Sequence, residues 1–315
     1  MSAGVASSHM TAAGLAEWPA DLWSRAKRYR YFYLFVAPFL ITFTIFWVWP
    51  LLHSFYLSLT QWSGFGQPKF IGADNYVGLL TDHAFHQALG NTLLFTVAAV
   101  ILQVGLGLVL ARLLNSKIVR FRAVFRAMFF TPFLLSPIII GTIFLFLLST
   151  NYGIANYFLS LVGIAPIPWL SEPFWMRVSI IMLSVWRWAG WNSVVLLAGM
   201  QDISPELEES ARIDGANELQ VFLRITLPLL GPVLLFTTVI GTVGSLQMFA
   251  EPFALSANQK GPDNSAYTVV YAIWRNAFEF GRYGKAAAMA FVLFGITMIV
   301  TMAQIAYRRP QGRAA

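Results

Sequence analysis

Six apolar runs constrain this chain more than anything else in it, each about as long as the roughly 20 residues a helix needs to cross a hydrocarbon core. They are Tyr31–Leu52, Thr92–Ala111, Ala127–Leu148, Val178–Leu197, Leu227–Leu246 and Ala286–Ile305. Across all six, one Lys, Arg, Asp or Glu occurs: Arg187. Composition closes the soluble alternative. The chain is 57% hydrophobic and 11% charged, whereas soluble domains carry roughly 25% charged residues. A β-barrel needs alternating segments of about ten residues, and these runs are continuous. The first run exceeds the roughly 7–15 apolar residues of a signal peptide, so it reads as a retained anchor. There is no cysteine, which excludes disulfides, thiolate metal sites and a Cys nucleophile. The expected fold is an all-α integral membrane protein, a six-helix transmembrane bundle over residues 31–307.

Aromatic residues crowd the run ends at Tyr31, Tyr33, Trp47, Trp49, Trp186, Trp188 and Tyr307, where amphipathic rings favour the headgroup layer. The Lys and Arg residues set the orientation. Arg25, Lys27, Arg28, Arg30, Arg112, Lys117, Arg120, Arg122, Arg126, Arg212, Arg224, Arg308, Arg309 and Arg313 fall on one side. Lys69, Arg177, Lys260, Arg275, Arg282 and Lys285 fall on the other. The positive-inside rule then places both termini in the cytoplasm, as tails over 1–30 and 308–315. Met1–Glu17 has no periodicity and reads as disordered or partly non-native. The basic charge follows topology and anionic lipid, so no nucleic-acid partner is expected. Among the outward loops, Tyr267–Phe280 is rich in aromatics and reads as a helix lying at the interface.

The cytoplasmic stretch 202–224 is unlike a plain connector. Ser204-Pro205 offers a cap and a first-turn proline, and Glu206, Glu208 and Glu209 suit the positive end of that helix. Asp214-Gly215 signals a turn, and a second short helix from about Asn217 runs into Leu227-Pro228, with Pro228 opening the fifth span. A charge run of this kind is commonly a solvated face. The functional alternative is a docking surface, where small residues at Ser210, Ala211, Gly215 and Ala216 allow close approach.

The string Glu209-Ser210-Ala211, three residues, Gly215, nine residues, Ile225-Thr226-Leu227-Pro228 resembles the EAA motif of bacterial ABC importer permeases. Glu209 to Ala216 is similar to the carbohydrate-uptake branch, the maltose and glycerol-3-phosphate type, with Ser210 where Ala is usual. Phe70–Tyr76, Tyr152–Asn156, Gly261-Pro262 and Phe280–Ala288 resemble further strings of that family, so the likeness covers most of the chain. It implies a coupling helix within 204–226, seated in a cleft of an ATPase, with Glu206, Glu209, Ser210, Ala211, Arg212, Asp214, Gly215 and Pro228 as its residues. It also implies a second homologous permease, two ATPase subunits, an extracytoplasmic solute-binding protein and a bacterial plasma (inner) membrane location. No phosphate-binding loop exists in this chain: Gly284-Lys285-Ala286 has Glu279 and Ala286 where Gly and Ser/Thr are required. No cofactor is expected here, ATP and Mg belonging to the partner, and the chain is not itself an enzyme.

Arg187 is costly at a span centre, about 2.5–3.5 kcal/mol on insertion scales, so it faces the bundle interior or a wet cavity. Packing or snorkelling explains it as well as a role in translocation. Trp188, Trp191 and Asn192 follow it, and Gln247, Phe249 and Glu251 close the fifth span. Aromatic faces with amides suit sugars, although tryptophans at span ends are often interface anchors. His83 and His86 have no third ligand to make a metal site. An ion-gradient-driven secondary transporter is the alternative function; it calls for intramembrane carboxylates, and the six runs contain none. The orientation has a direct check. Cysteines at Asn75 and Asn264 should react with an impermeant thiol reagent from outside, and one at Glu218 should not; the reverse pattern defeats the charge reading.

Overall fold

The computed structural model describes residues 30–308 apart from 117, 118 and 258. The first tail through residue 29 and the last from 309 lie outside the described residues, as do the topology charges Arg25, Lys27, Arg28, Lys117, Arg309 and Arg313. Two compact units divide the chain after Tyr56. The described part of the first is helical: α1 (Arg30–Phe43), a π-turn (Thr44–Val48) and the start of α2 (Trp49–Ser58). Pro50 lacks an N–H, and its ring crowds the carbonyl four residues back; the widened π-turn lies where that strain falls.

The second unit opens with a two-stranded antiparallel pair, β1 (Thr60–Gln61) and β2 (Lys69–Phe70), a small exception to an all-α fold. Helix α3 (Asp74–Leu80) leads to α4 (His83–Asn115), whose first turn is capped by Asp82 accepting from the N–H groups of Ala84 and Phe85. Then come α5 (Arg122–Leu134), α6 (Pro137–Leu147), α7 (Ile154–Leu161) and α8 (Pro173–Gln201). The short α9 (Pro205–Ile213), α10 (Glu218–Val221) and α11 (Leu227–Leu229) precede α12 (Gly231–Leu246). The chain ends through α13 (Ala250–Leu255), α14 (Val269–Trp274) and α15 (Tyr283–Arg308).

Among the described residues, four helices are long and apolar enough to span: Tyr31–Ser58, α4, α8 and Tyr283–Tyr307. Two further pairs reach that standard only as broken units, α5 with α6 bent by 98° and Glu218–Leu229 with α12 bent by 68°. The third and fifth apolar runs are therefore not straight helices. A proline follows each break. The residue before a proline is driven out of the α region, and Ser136, ahead of Pro137, has φ −59° and ψ 128°. At the second break Pro232, in the first turn of α12, opens the span. Pro228, expected in that role, lies in α11 on the near side of the bend.

Helices α4 and α8 form the central seam. A Cβ on Gly190 would collide with the Phe129 carbonyl, so α8 meets α5 backbone to backbone there. Loop motifs serve as staples. Asn156 donates to the carbonyls of Thr150 (3.1 Å) and Ile167 (2.9 Å) and accepts from Ile167 N and Trp169 Nε1. Asn75 donates to the carbonyls of Ser58 and Thr60. Of the segment expected to lie along an interface, 267–280, the first part instead enters the core, while Phe278 and Phe280 are exposed: Val269 and Tyr271 are fully buried, packed with Leu79, Phe85, Leu246 and Met289.

Gly190→Ala should lower thermal stability in detergent by about 1–3 kcal/mol, the usual range for overpacking. Gly105→Ala, with nothing within 4 Å of its Cβ position, should change it by less than about 0.5 kcal/mol. Equal effects would show that the α5–α8 approach is not the tight one.

Candidate functional site: a buried ion pair and an exposed helix pair

Arg187, midway along α8, does not stand alone. Its Nη1 donates to Glu251 Oε1 at 2.9 Å, and the two side chains are 13% and 7% exposed. Glu251 sits in the first turn of α13, just beyond the sixteen-residue α12. The apolar runs lack carboxylates, yet the fold brings one to the single span arginine. The guanidinium carbon also lies 5.5 Å from the ring centre of Trp188 and 6.0 Å from that of Phe133, within range of cation–π attraction. Arg187 Nε is buried without a protein partner.

Beside this pair is a cavity of about 220 Å³ whose wall includes Arg187, Trp188, Gln247, Phe249 and Glu251. Pro137 and Ser184 belong to the same wall, with Gly244, Ser245, Met248 and Ala250. It therefore lies where two interruptions converge, the start of α6 and the turn between α12 and α13. Interrupted helices expose peptide groups, and at membrane depth such groups are tolerated beside protein or a water-filled cavity. The other two candidates lie elsewhere. Trp191 packs among Phe133, Trp188 and Phe236. Asn192 is 1% exposed and abuts Gly107 in the α4–α8 seam, donating back to the Trp188 carbonyl. Ser184 was not singled out from sequence; its one-turn spacing from Arg187 on α8 is the signal that could have found it.

The second feature is the helix pair over 204–226. Ser204 occupies the cap position of α9 but makes no capping hydrogen bond, and Pro205 begins the helix. Gly215 turns the chain at φ +88°, a conformation that glycine alone adopts freely. Asn217 then closes a capping box with Gln220, with hydrogen bonds of 2.9 Å in both directions. A π-turn, Phe222–Thr226, connects α10 to α11. Glu206, Glu209, Ser210, Arg212, Asp214, Gly215 and Pro228 are exposed, and Ala211 is half-buried. Ile213, 85% exposed, and Leu207, 49%, add apolar surface that charge patterning did not reveal. Arg212 donates to Glu218 Oε1 at 2.7 Å and to Glu208 Oε2 at 3.2 Å. The hydrogen bond from Arg212 leads the causes that hold the Glu218 carboxyl below its usual range, with Arg112 adding to it.

The structure is thus that of a multi-pass helical membrane protein with a polar cavity where α6 begins and α12 ends, and with an exposed helix pair. The chain belongs to the family of binding-protein-dependent transport system inner membrane components, whose pattern matches residues 103–309. It is 36% identical over 288 residues to the lactose transport system permease protein LacF of Rhizobium radiobacter, covering 89% of this chain and 96% of that one. It is 35% identical over 271 residues to the arabinooligosaccharides transport system permease protein AraP of Bacillus subtilis (strain 168), covering 86% of each. A chain in the crystal structure of a bacterial ABC transporter involved in the import of the acidic polysaccharide alginate superposes with a TM-score of 0.81 at 27% identity, over 93% of this chain and 100% of that one. The family expected from the motifs is thus the family found.

Removing one member of a buried ion pair strands the other, at a cost of about 3–5 kcal/mol. Arg187→Leu should therefore cut thermal stability by that order, and adding Glu251→Leu should recover most of it. A single variant as stable as the parent would mean that the pair contributes nothing.

Proposed function

We propose that this chain is the transmembrane permease subunit of an ATP-driven importer for a carbohydrate of oligosaccharide, polyol or glycerol-phosphate type. It forms half of the translocation path. Its partners are a second homologous permease, two ATPase subunits and an extracytoplasmic solute-binding protein, in a bacterial plasma membrane with both termini cytoplasmic. The observation that carries this reading is the exposed helix pair 204–226 at the foot of a bent span, in a chain without a phosphate-binding loop. Such a pair suits a soluble motor's groove: acidic residues and small side chains lie on one helix, and two exposed apolar residues anchor it.

The relatives' names, lactose and arabinooligosaccharides, support the substrate class. A related structure of 26% identity is described in complex with an alginate pentasaccharide-bound periplasmic protein, which supports the binding-protein partner. The cavity supports the half-path. At about 220 Å³ it is smaller than the roughly 300–1,000 Å³ of sites that enclose a ligand, so an oligosaccharide needs a second wall. Trp188 and Phe249 offer faces for sugar rings, while Gln247 and the Arg187–Glu251 pair offer hydrogen bonds. The substrate-path residues are then Arg187, Trp188, Gln247, Phe249 and Glu251, with Trp191 and Asn192 shaping α8 behind them.

Proteoliposomes holding the complete complex should accumulate sugar with internal Mg-ATP and binding protein, and not with a proton or sodium gradient alone. Uptake on an ion gradient without ATP would replace this reading with the secondary-transporter one. Gly215→Trp places a side chain where backbone strain costs about 1–2 kcal/mol, and Glu209→Lys reverses a charge at the proposed docking surface. Both should weaken ATPase co-purification or uncouple hydrolysis from uptake while membrane insertion persists. Normal values in both variants would sink the coupling assignment.

A further inference from the structure

The helix pair is joined covalently to α12 through a π-turn and the 68° bend at Leu230. A bend is a poor strut, because a push arriving at it is absorbed as rotation. The pair has a second attachment that contains no bend. Arg112, in the last turn of α4, donates from Nη2 to Glu218 Oε2 at 3.0 Å, and its guanidinium carbon lies 5.3 Å from the centre of the Phe222 ring. From Glu218 the hydrogen bonds continue through Arg212 to Glu208, whose Oε1 accepts from Thr226 Oγ1 at 2.9 Å. One connected network thus runs from the inner end of α4 across both short helices to the π-turn. Ala111 and Leu114 of α4 reinforce the attachment by packing in one apolar cluster with Leu230, Leu196 and Met200, against which Phe222 rests.

Glu218 already has a strong partner in Arg212, so folding of the pair does not require Arg112. What Arg112 adds is a link to α4, an unbroken helix of 33 residues that lies along α8, the helix carrying Arg187. We propose that Arg112 is a positioning residue for coupling: through Glu218 it fastens the helix pair to α4, so that movement of the pair turns α4 and the α4–α8 seam as well as α12. This rests on the coupling reading above. The pair is partly exposed, with side chains 29% and 64% accessible, and such pairs contribute little to stability. Its loss should therefore change transmission and spare the fold.

The test uses the complete complex isolated through a tag on this chain, with nitroxide labels on exposed positions of two helices. One label pair joins Ile101 of α4 to Phe294 of α15, and the other joins Phe236 of α12 to Phe294. In the parent, Mg-ATP with vanadate should shift both distances. In Arg112→Met the α4 shift should be lost and the α12 shift kept, with ATPase co-purification, basal hydrolysis and thermal stability unchanged. Arg112→Lys should retain both shifts, since a single contact to the carboxylate needs only a positive charge within reach. Glu218→Ala should also abolish the α4 shift, and the double variant should lose nothing more, as expected for partners in one interaction. An α4 shift that survives in Arg112→Met overturns the proposal, and so does loss of both shifts or of the ATPase. A parent chain that brings no ATPase with it removes the coupling reading together with the strut, whereas retained ATPase and an unaltered α4 shift in Arg112→Met removes the strut alone.

Discussion

Hydrocarbon offers no hydrogen bonds, so every peptide group inside it must find its partner within the protein. The second unit follows from that constraint. Where α4 and α8 run unbroken, the requirement is met residue by residue, and those helices supply the seam on which the rest is packed. Where Pro137 and Pro232 forbid continuation, α5–α6 and α11–α12 turn sharply, and the freed groups need cover. The α6–α13 packing gives part of it: Gly141 and Ala254 let the two short helices approach closely. At Pro137 and at the turn between α12 and α13, what packing leaves open is the polar cavity; the α11–α12 bend lies at the opposite end of α12. The cavity is thus in part a by-product of where the α5–α6 pair cannot be straight.

The Arg187–Glu251 pair illustrates how one chemical cost is answered by another. An arginine in a span and a carboxylate under a helix break are each expensive alone. At 2.9 Å and nearly excluded from solvent, each makes the other tolerable, and neither can be lost singly without stranding its partner. The pair also gives the cavity a polar wall without a net charge, which suits hydroxyl-bearing substrates.

Much of this was legible in the sequence, because spacing and composition act locally. The apolar runs, the helix pair with its glycine turn and the second helix starting near Asn217 follow from periodicity and capping alone. The bends were legible too, since Ser136-Pro137 and Gly231-Pro232 carry the steric signal, but continuous hydrophobicity outweighed it in placing straight spans. The partnership of Arg187 with Glu251 was not legible. It joins positions 64 residues apart, and no local rule pairs them. For the same reason Tyr267–Phe280 looked like a surface helix: its aromatics match an interface belt in composition, and only the fold turns Tyr271 inward. Asn192 looked available for a sugar because its neighbours are tryptophans, whereas its position on the helix aims it at Gly107.

The polar side chains at the His83 end of α4 share a common dependence. Asp82 bonds Lys285 at 2.7 Å, Asn91 bonds the carbonyls of Asn264 and Tyr267, and Thr92 Oγ1 accepts from Val269 N. Every one of these partners comes from the last third of the chain. During synthesis α4 can cap itself, since Asp82 accepts from Ala84 N and Phe85 N, but these longer links form only once residues 260–285 have been made. The end of α4 is thus fastened twice, first by its own cap and later by groups made last, so that its final position is set by the last third of the chain.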